Sequence, residues 1–288
     1  MSAISDLKGE ERAPEPIRRG GAKSLLMTML GEFVLPNGGK AWTTTLVNGL
    51  GALGVTERNA RQAISRSRDQ GAIEVERHGR LARWHLTDYG HDLLTTGAAR
   101  IYGLGTEDWT WDHRWLIVIC AIPETQRSKR HRFRTQMTFE GFGFIAPGIA
   151  VSPHLDRENA ANRILRSLDI GTDAITFTAT RGSFTLDADV LASAWRLTDL
   201  ADEYQSFINE FGSRNARTPL EAHSATVQMV DTWRRFPFVD PGLPGELLPD
   251  PWVGSEAQAI FGQRRAEWNE AASNWFRTSE SEMDALVE

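Results

Sequence analysis

Residues 56–71, TERNARQAISRSRDQG, constrain the fold more than any other stretch of the chain. At 100° per residue, Ala60, Ala63, Ile64 and Ser67 fall on one small, mostly apolar face. Arg58, Gln62, Ser65 and Asp69 fall opposite, flanked by Asn59, Arg61 and Arg66. Thr56 suits the N-cap of such a helix, and Gly71 stands just past its end. Alanine and serine on the inner face let a helix sit close against its neighbours. The outer face carries the residue types that read base edges, Arg for guanine and Asn or Gln for adenine. Arg66 and Arg68, near the C-terminal end, suit phosphates or oppose the helix dipole.

The flanks of this helix complete a pattern. Ser24 to Leu35 has apolar residues at helical spacing and stops at Pro36-Asn37-Gly38-Gly39. Trp42 to Leu53 predicts a second helix, closed by Gly54. After the third helix, Ile73 to Leu86 predicts two short strands around His78-Gly79, with Arg77 and Arg80 on either side of the turn. Thr87 then caps a helix from Asp88 to about Thr95. Helix, turn, helix and an arginine-tipped hairpin follow the winged-helix order, in which Arg77 or Arg80 reaches the minor groove or backbone. A charged helix-turn-helix used for protein contacts would hold similar residues. The full order, with cations on these elements, favours DNA.

The charge distribution agrees with that reading. The 288 residues sum to −6, which by itself would disfavour a nucleic-acid partner. Residues 16–96, however, hold 11 Lys/Arg against 7 Asp/Glu, whereas residues 158–288 hold 11 against 21. One end can approach phosphate and the other cannot, as expected of a DNA-binding head on an acidic sensing body. No apolar run approaches the ~20 residues of a membrane span, and the first 22 residues read as a short disordered lead without the apolar core of a signal peptide. A single cysteine, Cys120, lies in an apolar run, where it reads as a small buried hydrophobe. One cysteine excludes an internal disulfide and fits the cytoplasm.

The remaining chain predicts two further domains. After a Gly- and Thr-rich linker over 97–112, Trp115 to Pro123 is an apolar run of buried-strand type. A helix over about Ser128–Thr138 follows, then a strand pair or one long strand over Phe142–Val151 containing Pro147-Gly148. Leu155 to Leu168 predicts a helix, and Ala174 to Thr180 a strand. This order predicts a ferredoxin-like domain over 113–183. From 184 to 288 the chain reads as all-α, with helices over Val190–Phe211, Pro219–Phe236 and Ser255–Phe276 and a stiff, proline-dense loop at Pro237–Trp252. The expected architecture is therefore α+β and multidomain: a winged helix-turn-helix over 23–96, the ferredoxin-like domain and a helical C-terminal domain.

Candidate DNA contacts are Arg58, Asn59, Arg61, Gln62, Ser65, Arg66, Arg77 and Arg80. The basic run 127–134 is open to four readings: a DNA-backbone contact, an anion pocket, a solvated helix face, or a partner for the acidic C-terminal region. It supplies Arg130 and Arg134 as candidate ligand contacts, joined by Trp233 and Arg234 further on. The seven histidines are scattered, and no P-loop, Gly-x-Ser-x-Gly or His-Glu-x-x-His motif is present. No catalytic residue, metal or bound cofactor is expected.

The segments ARQAISRSRDQG (60–71), WDHRWLIVICAIPE (111–124), FEGFGFIAPGIAVSP (139–153) and WRRFPFVDPGLPGELLPDPW (233–252) resemble the PaaX family of regulators, named for the repressor of phenylacetate catabolism. The resemblance covers nearly the whole chain, and the last stretch is its most specific part. It implies a homodimer on a partly palindromic operator, acting as a repressor of a catabolic operon and released by an acyl-CoA thioester or a related aromatic metabolite. In the family pattern a His often stands two positions before the aromatic of the WRR motif; here that position is Asp231, which leaves the ligand open. An activator with the same head is one alternative. The other is a metal-dependent nuclease-like enzyme on the ferredoxin-like domain, which needs carboxylates on a divalent cation. The first strand here ends Ala121-Ile122-Pro123 without one.

Overall fold

The computed structural model describes residues 20–105, 110–180 and 188–287. The lead expected over 1–22 lies outside the described residues as far as residue 19. The first helix, α1 (Ala22–Met29), continues through a π turn at Leu30–Val34 and a 3-10 turn at Leu35–Asn37. Pro36 and the left-handed Gly38, φ 85°, end it where the sequence predicts. Next come β1 (Lys40–Trp42), α2 (Thr43–Ala52) and α3 (Glu57–Asp69), followed by the antiparallel hairpin β2 (Ile73–His78) and β3 (Leu81–Leu86). Strand β1, three residues long, is too short to show alternation in sequence, and it forms because β3 offers it a pairing edge, Ala41 opposite Trp84. The sheet order is β1-β3-β2.

Helix α4 (Asp88–Gly103) runs well past Thr95, into the stretch read as linker. Its second half is held by tertiary contacts rather than propensity. The Ile101 carbonyl accepts the indole N–H of Trp233 at 3.3 Å, and Tyr102 stacks against Phe261 with ring centroids 6.1 Å apart.

The middle of the chain forms β4 (Arg114–Cys120), α5 (Arg127–Phe139), β5 (Gly143–Ala146), β6 (Ile149–Ser152), α6 (Glu158–Ser167) and β7 (Ala174–Thr180). The strands form one antiparallel sheet in the order β5-β6-β4-β7. Gly148, at φ 79°, turns the chain between β5 and β6, so this stretch is a hairpin and not one long strand. Leu116, Val118, Phe133, Met137 and Ile164 belong to a cluster of its own. Cys120 lies in that cluster and is buried, as expected.

The C-terminal helices are α7 (Ala188–Trp195), α8 (Leu197–Phe211), α9 (Pro219–Trp233), the single turn α10 (Phe236–Val239) and α11 (Val253–Asp284). The one helix expected over Val190–Phe211 is two, broken at Arg196 in the left-handed region, φ 52°. Trp195 explains the break. Its indole N–H donates to the Gly141 carbonyl at 3.0 Å, and its ring lies where a Cβ on Gly143 would be 2.5 Å away. Helix α7 is thereby tied to the sheet, while α8 packs on α11. Helix α9 stops at Trp233, short of the expected Phe236, and α11 extends beyond Phe276 to Asp284. No helix among the described residues is long and apolar enough to cross a membrane.

The main buried cluster joins the two ends of the chain. Leu26, Phe33 and Leu50 from the first hundred residues share it with Val227, Trp233 and Phe276 from the last. Helix α9 packs on α1 and α2, and α11 packs on α2 and β1.

Candidate nucleic-acid interface

Helix α3 is placed by its small face. Ala60, Ala63, Ile64 and Ser67 are buried, as the spacing requires, and helices α1 and α2 lie against it. The Thr56 hydroxyl accepts the Asn59 N–H at 3.4 Å, and Gly71 at φ 76° lets the chain leave the helix for β2. Arg58, Asn59, Arg61, Gln62 and Arg66 are exposed and Ser65 is half-buried. Arg58, Arg61, Gln62 and Ser65 line one shallow, open surface.

The hairpin adds a second row of cations. Arg77 and Arg80 are exposed. Together with Arg61 and Arg68 they line a groove of about 410 Å3 between α3 and β2–β3, floored by Ile64 and Trp84. Arg58, Arg61, Gln62, Ser65, Arg77 and Arg80 thus lie on one or other of these adjoining surfaces, while Asn59 and Arg66 line neither. Arg68 is a groove residue that the candidate set omitted. The sequence does mark it, beside Arg66, as suited to phosphates.

These cations are lightly held. Arg61 pairs with Glu57 at 2.8 Å and Arg68 with Asp69 at 2.7 Å, all four side chains at least half exposed. Exposed pairs of this kind are worth under ~1 kcal/mol, so a phosphate can displace the carboxylate. Arg83 behaves differently. It reaches Asp284 at 3.0 Å and Glu280 at 3.5 Å on α11, while Trp42 donates its backbone N–H to Glu280 and its indole N–H to Asp284, each at 2.9 Å. The acidic end of the chain therefore neutralises one hairpin arginine and leaves Arg77 and Arg80 outward.

The four candidate ligand contacts do not converge. Arg130 and Arg134 line a cavity of about 630 Å3 between α5 and the β5–β6 turn. Arg130 pairs there with Glu124 at 2.6 Å, and the Arg134 guanidinium lies 4.7 Å from the centre of the Phe144 ring. Trp233 is 1% exposed and stacks on Phe261 with centroids 4.5 Å apart, so its ring serves the core. Arg234 lines a different cleft, beside α1. Among the described residues no group of three or more His, Cys, Asp or Glu side chains is placed to hold a metal ion.

Two buried polar groups escape a reading of the sequence. Asp231, legible there only as a departure from a family pattern, accepts hydrogen bonds from the Gly20 N–H, Ser24 Oγ and Thr28 Oγ1 at 3.2, 2.6 and 3.2 Å. It clamps α9 to α1. His223 is fully buried between Phe33 and Trp275, with ring centroids 4.6 and 4.1 Å away, and burial pushes its pKa down to about 3. Each stands four residues from Val227, a buried apolar position of α9, so a polar residue on an apolar helical face was the readable sign.

A mixed α+β chain with an exposed cationic helix beside a hairpin, a four-stranded antiparallel sheet and a set of C-terminal helices is the class that fold and site define. Comparison with known proteins gives the family. Residues 21–90 match the family described as PaaX-like protein, 108–191 the PaaX protein central Cas2-like domain, and 195–278 the PaaX-like protein C-terminal domain. The chain belongs to the PaaX family. It is 28% identical over 248 residues to the transcriptional repressor PaaX of Escherichia coli (strain K12), covering 82% of this chain and 77% of that protein. The uncharacterized protein Rv0674 from Mycobacterium tuberculosis shares the fold, with a TM-score of 0.60 at 20% identity over 88% of this chain and 98% of that one.

Proposed function

We propose that the protein is a DNA-binding transcriptional repressor and not an enzyme, with residues 23–96 acting as a winged helix-turn-helix and 113–183 as a ferredoxin-like domain. One observation carries the reading: α3 and the β2–β3 hairpin present Arg58, Arg61, Arg77 and Arg80 on adjoining outward surfaces, over an α3 underside of buried alanine. In this reading α3 enters the major groove, Arg58, Asn59, Arg61, Gln62 and Ser65 meet base edges, and Arg66, Arg77 and Arg80 hold backbone or minor groove. The name of the Escherichia coli relative supports the sign of regulation. The strand order of the middle sheet supports the ferredoxin-like assignment. A homodimer would set two α3 helices about one turn of DNA apart, ~34–36 Å. Release would follow when an acyl-CoA thioester or aromatic metabolite binds preferentially to a state with another head spacing.

The test is fluorescence anisotropy with the DNA upstream of the chain's own gene, at stepped salt. Binding should weaken steeply with salt, because each neutralised phosphate releases a counterion. The triple variant R58A/R61A/Q62A should bind at least ~100-fold more weakly, because each bidentate pairing of a side chain with a base is worth ~1–3 kcal/mol. Salt-insensitive binding, or a triple variant that occupies the DNA as well as the parent, overturns the proposal.

A further inference from the structure

We propose that the cleft between α1, α4 and the α9–α10 bend binds a small organic anion with an aryl or alkyl body. Its volume is about 500 Å3, within the range of small-molecule sites. Three elements far apart in sequence build it: Met27 and Thr28 from α1, Leu94 and Ile101 from α4, Val230 and Arg234 from α9 and its C-terminal cap. Tyr89 and Leu93 also line it and are 58% and 43% exposed, so the apolar wall continues to solvent and gives a ligand a way in.

The charge pattern selects the ligand. Arg234 is half-buried, its Nη1 lies 3.3 Å from Thr28 Oγ1, and among the described residues no carboxylate makes an ion pair with it. A partly desolvated guanidinium beside apolar walls favours an incoming anion, with a carboxylate matching its fork of donors. Glu32 lines the cleft too, but it is engaged by the Tyr102 hydroxyl and by Arg265 at 3.4 Å. Lys23 and Arg234 remain, enough for one negative group and too few for a buried polyphosphate. A free aryl or alkyl carboxylic acid offers that chemistry, whereas the acyl end of a thioester is uncharged and offers only the apolar body.

The position also suits control. Gln70 and Ala72 line the cleft and bracket the Gly71 turn that ends α3, so an occupant touches the segment that sets the cationic helix. This regulatory part rests on the DNA-binding reading above; the ligand site does not.

The probe is 1-anilinonaphthalene-8-sulfonate, an aryl anion, titrated into the full chain and read by its fluorescence. Saturable binding is expected. Gly97 lines the cleft and a Cβ there meets no atom within 4 Å, so Gly97→Phe should fill the space and weaken the probe at least 10-fold. Arg234→Met should weaken it at least 5-fold and Arg234→Lys less, with thermal melts confirming that each variant folds. Phenylacetate, octanoate and their coenzyme A thioesters are then competed against the probe. Displacement by the acids assigns the free carboxylate, and displacement by the thioesters alone overturns the anion site. Probe binding that none of these substitutions weakens, or that no competitor displaces, overturns the site. DNA anisotropy is a separate readout: absent DNA binding with intact probe binding overturns the repressor reading and leaves the site standing. With both present, saturating probe should lower DNA affinity by the factor by which DNA lowers probe affinity. No mutual effect overturns the regulatory part.

Discussion

The two ends of the chain share one buried cluster, to which the four-stranded sheet between them lends only Trp115 and Val151, while the sheet's other buried residues form a second cluster with α5 and α6. Order along the chain and order in space therefore disagree. The α3 face meets DNA in our reading, but the helices behind it are braced by α9 and α11, contributed by the far end of the sequence. The bracing is partly polar: Asp231 on α9 holds α1, and Glu280 with Asp284 on α11 holds Trp42 and Arg83. The sheet meets the rest of the molecule through aromatic contacts such as Trp115 against Trp195, with centroids 6.1 Å apart, and through the proline-dense loop, where His154 Nε2 lies 2.7 Å from the Gly242 carbonyl oxygen. In our reading the shared core makes the first helices and the C-terminal helices a single cooperative unit, and the proposed ligand, lodged between them, would act on both.

Hollowing each cluster in turn tests whether the two are separate. Trp233→Ala in the shared core and Phe133→Ala in the sheet should each cost about 3–5 kcal/mol. Hydrogen exchange distinguishes them. The first should weaken protection in α1 and α3 as well as α9, and the second only in β4–β7, α5 and α6. Confinement of the Trp233→Ala effect to the C-terminal helices would show that the ends unfold independently.

Asp231→Ala should be next in size, at about 2–3 kcal/mol, because three donors lose their acceptor. Asp231→Asn should restore part of it, and urea melts measure both. The pH dependence is comparable. The folded chain keeps His223 neutral down to about pH 3, while the unfolded chain takes up a proton below 6.5. Stability is therefore lost as the pH falls through that window, by about 1.4 kcal/mol per pH unit for this group. His223→Leu should flatten the fall between about pH 6 and 4.5 relative to the parent, and an unchanged slope would show that the ring takes up its proton inside the folded chain.

The smallest effect belongs to the surface. Arg61→Ala should change stability by less than ~0.5 kcal/mol, because its partner Glu57 is exposed. Any drop in DNA affinity in that variant then reports on the interface. A larger stability change would mean that the cationic face also contributes to the fold.

Several features of this architecture are legible in the amino-acid order, because they depend on neighbours within a few residues. The Thr56 cap, the small inner face of α3 and the hairpin over Ile73–Leu86 are local patterns with a fixed period or a fixed turn chemistry. Contacts between distant segments settled the rest. Strand β1 exists because β3 lies beside it, α4 runs on to Gly103 because Trp233 and Phe261 receive its last turns, and the chain breaks at Arg196 because Trp195 is anchored to the sheet. The clamp of Asp231, Glu280 and Asp284 on the head has the same origin. Each is an acidic residue on a helix, solvated by default, and only the partner brought against it by folding makes it otherwise.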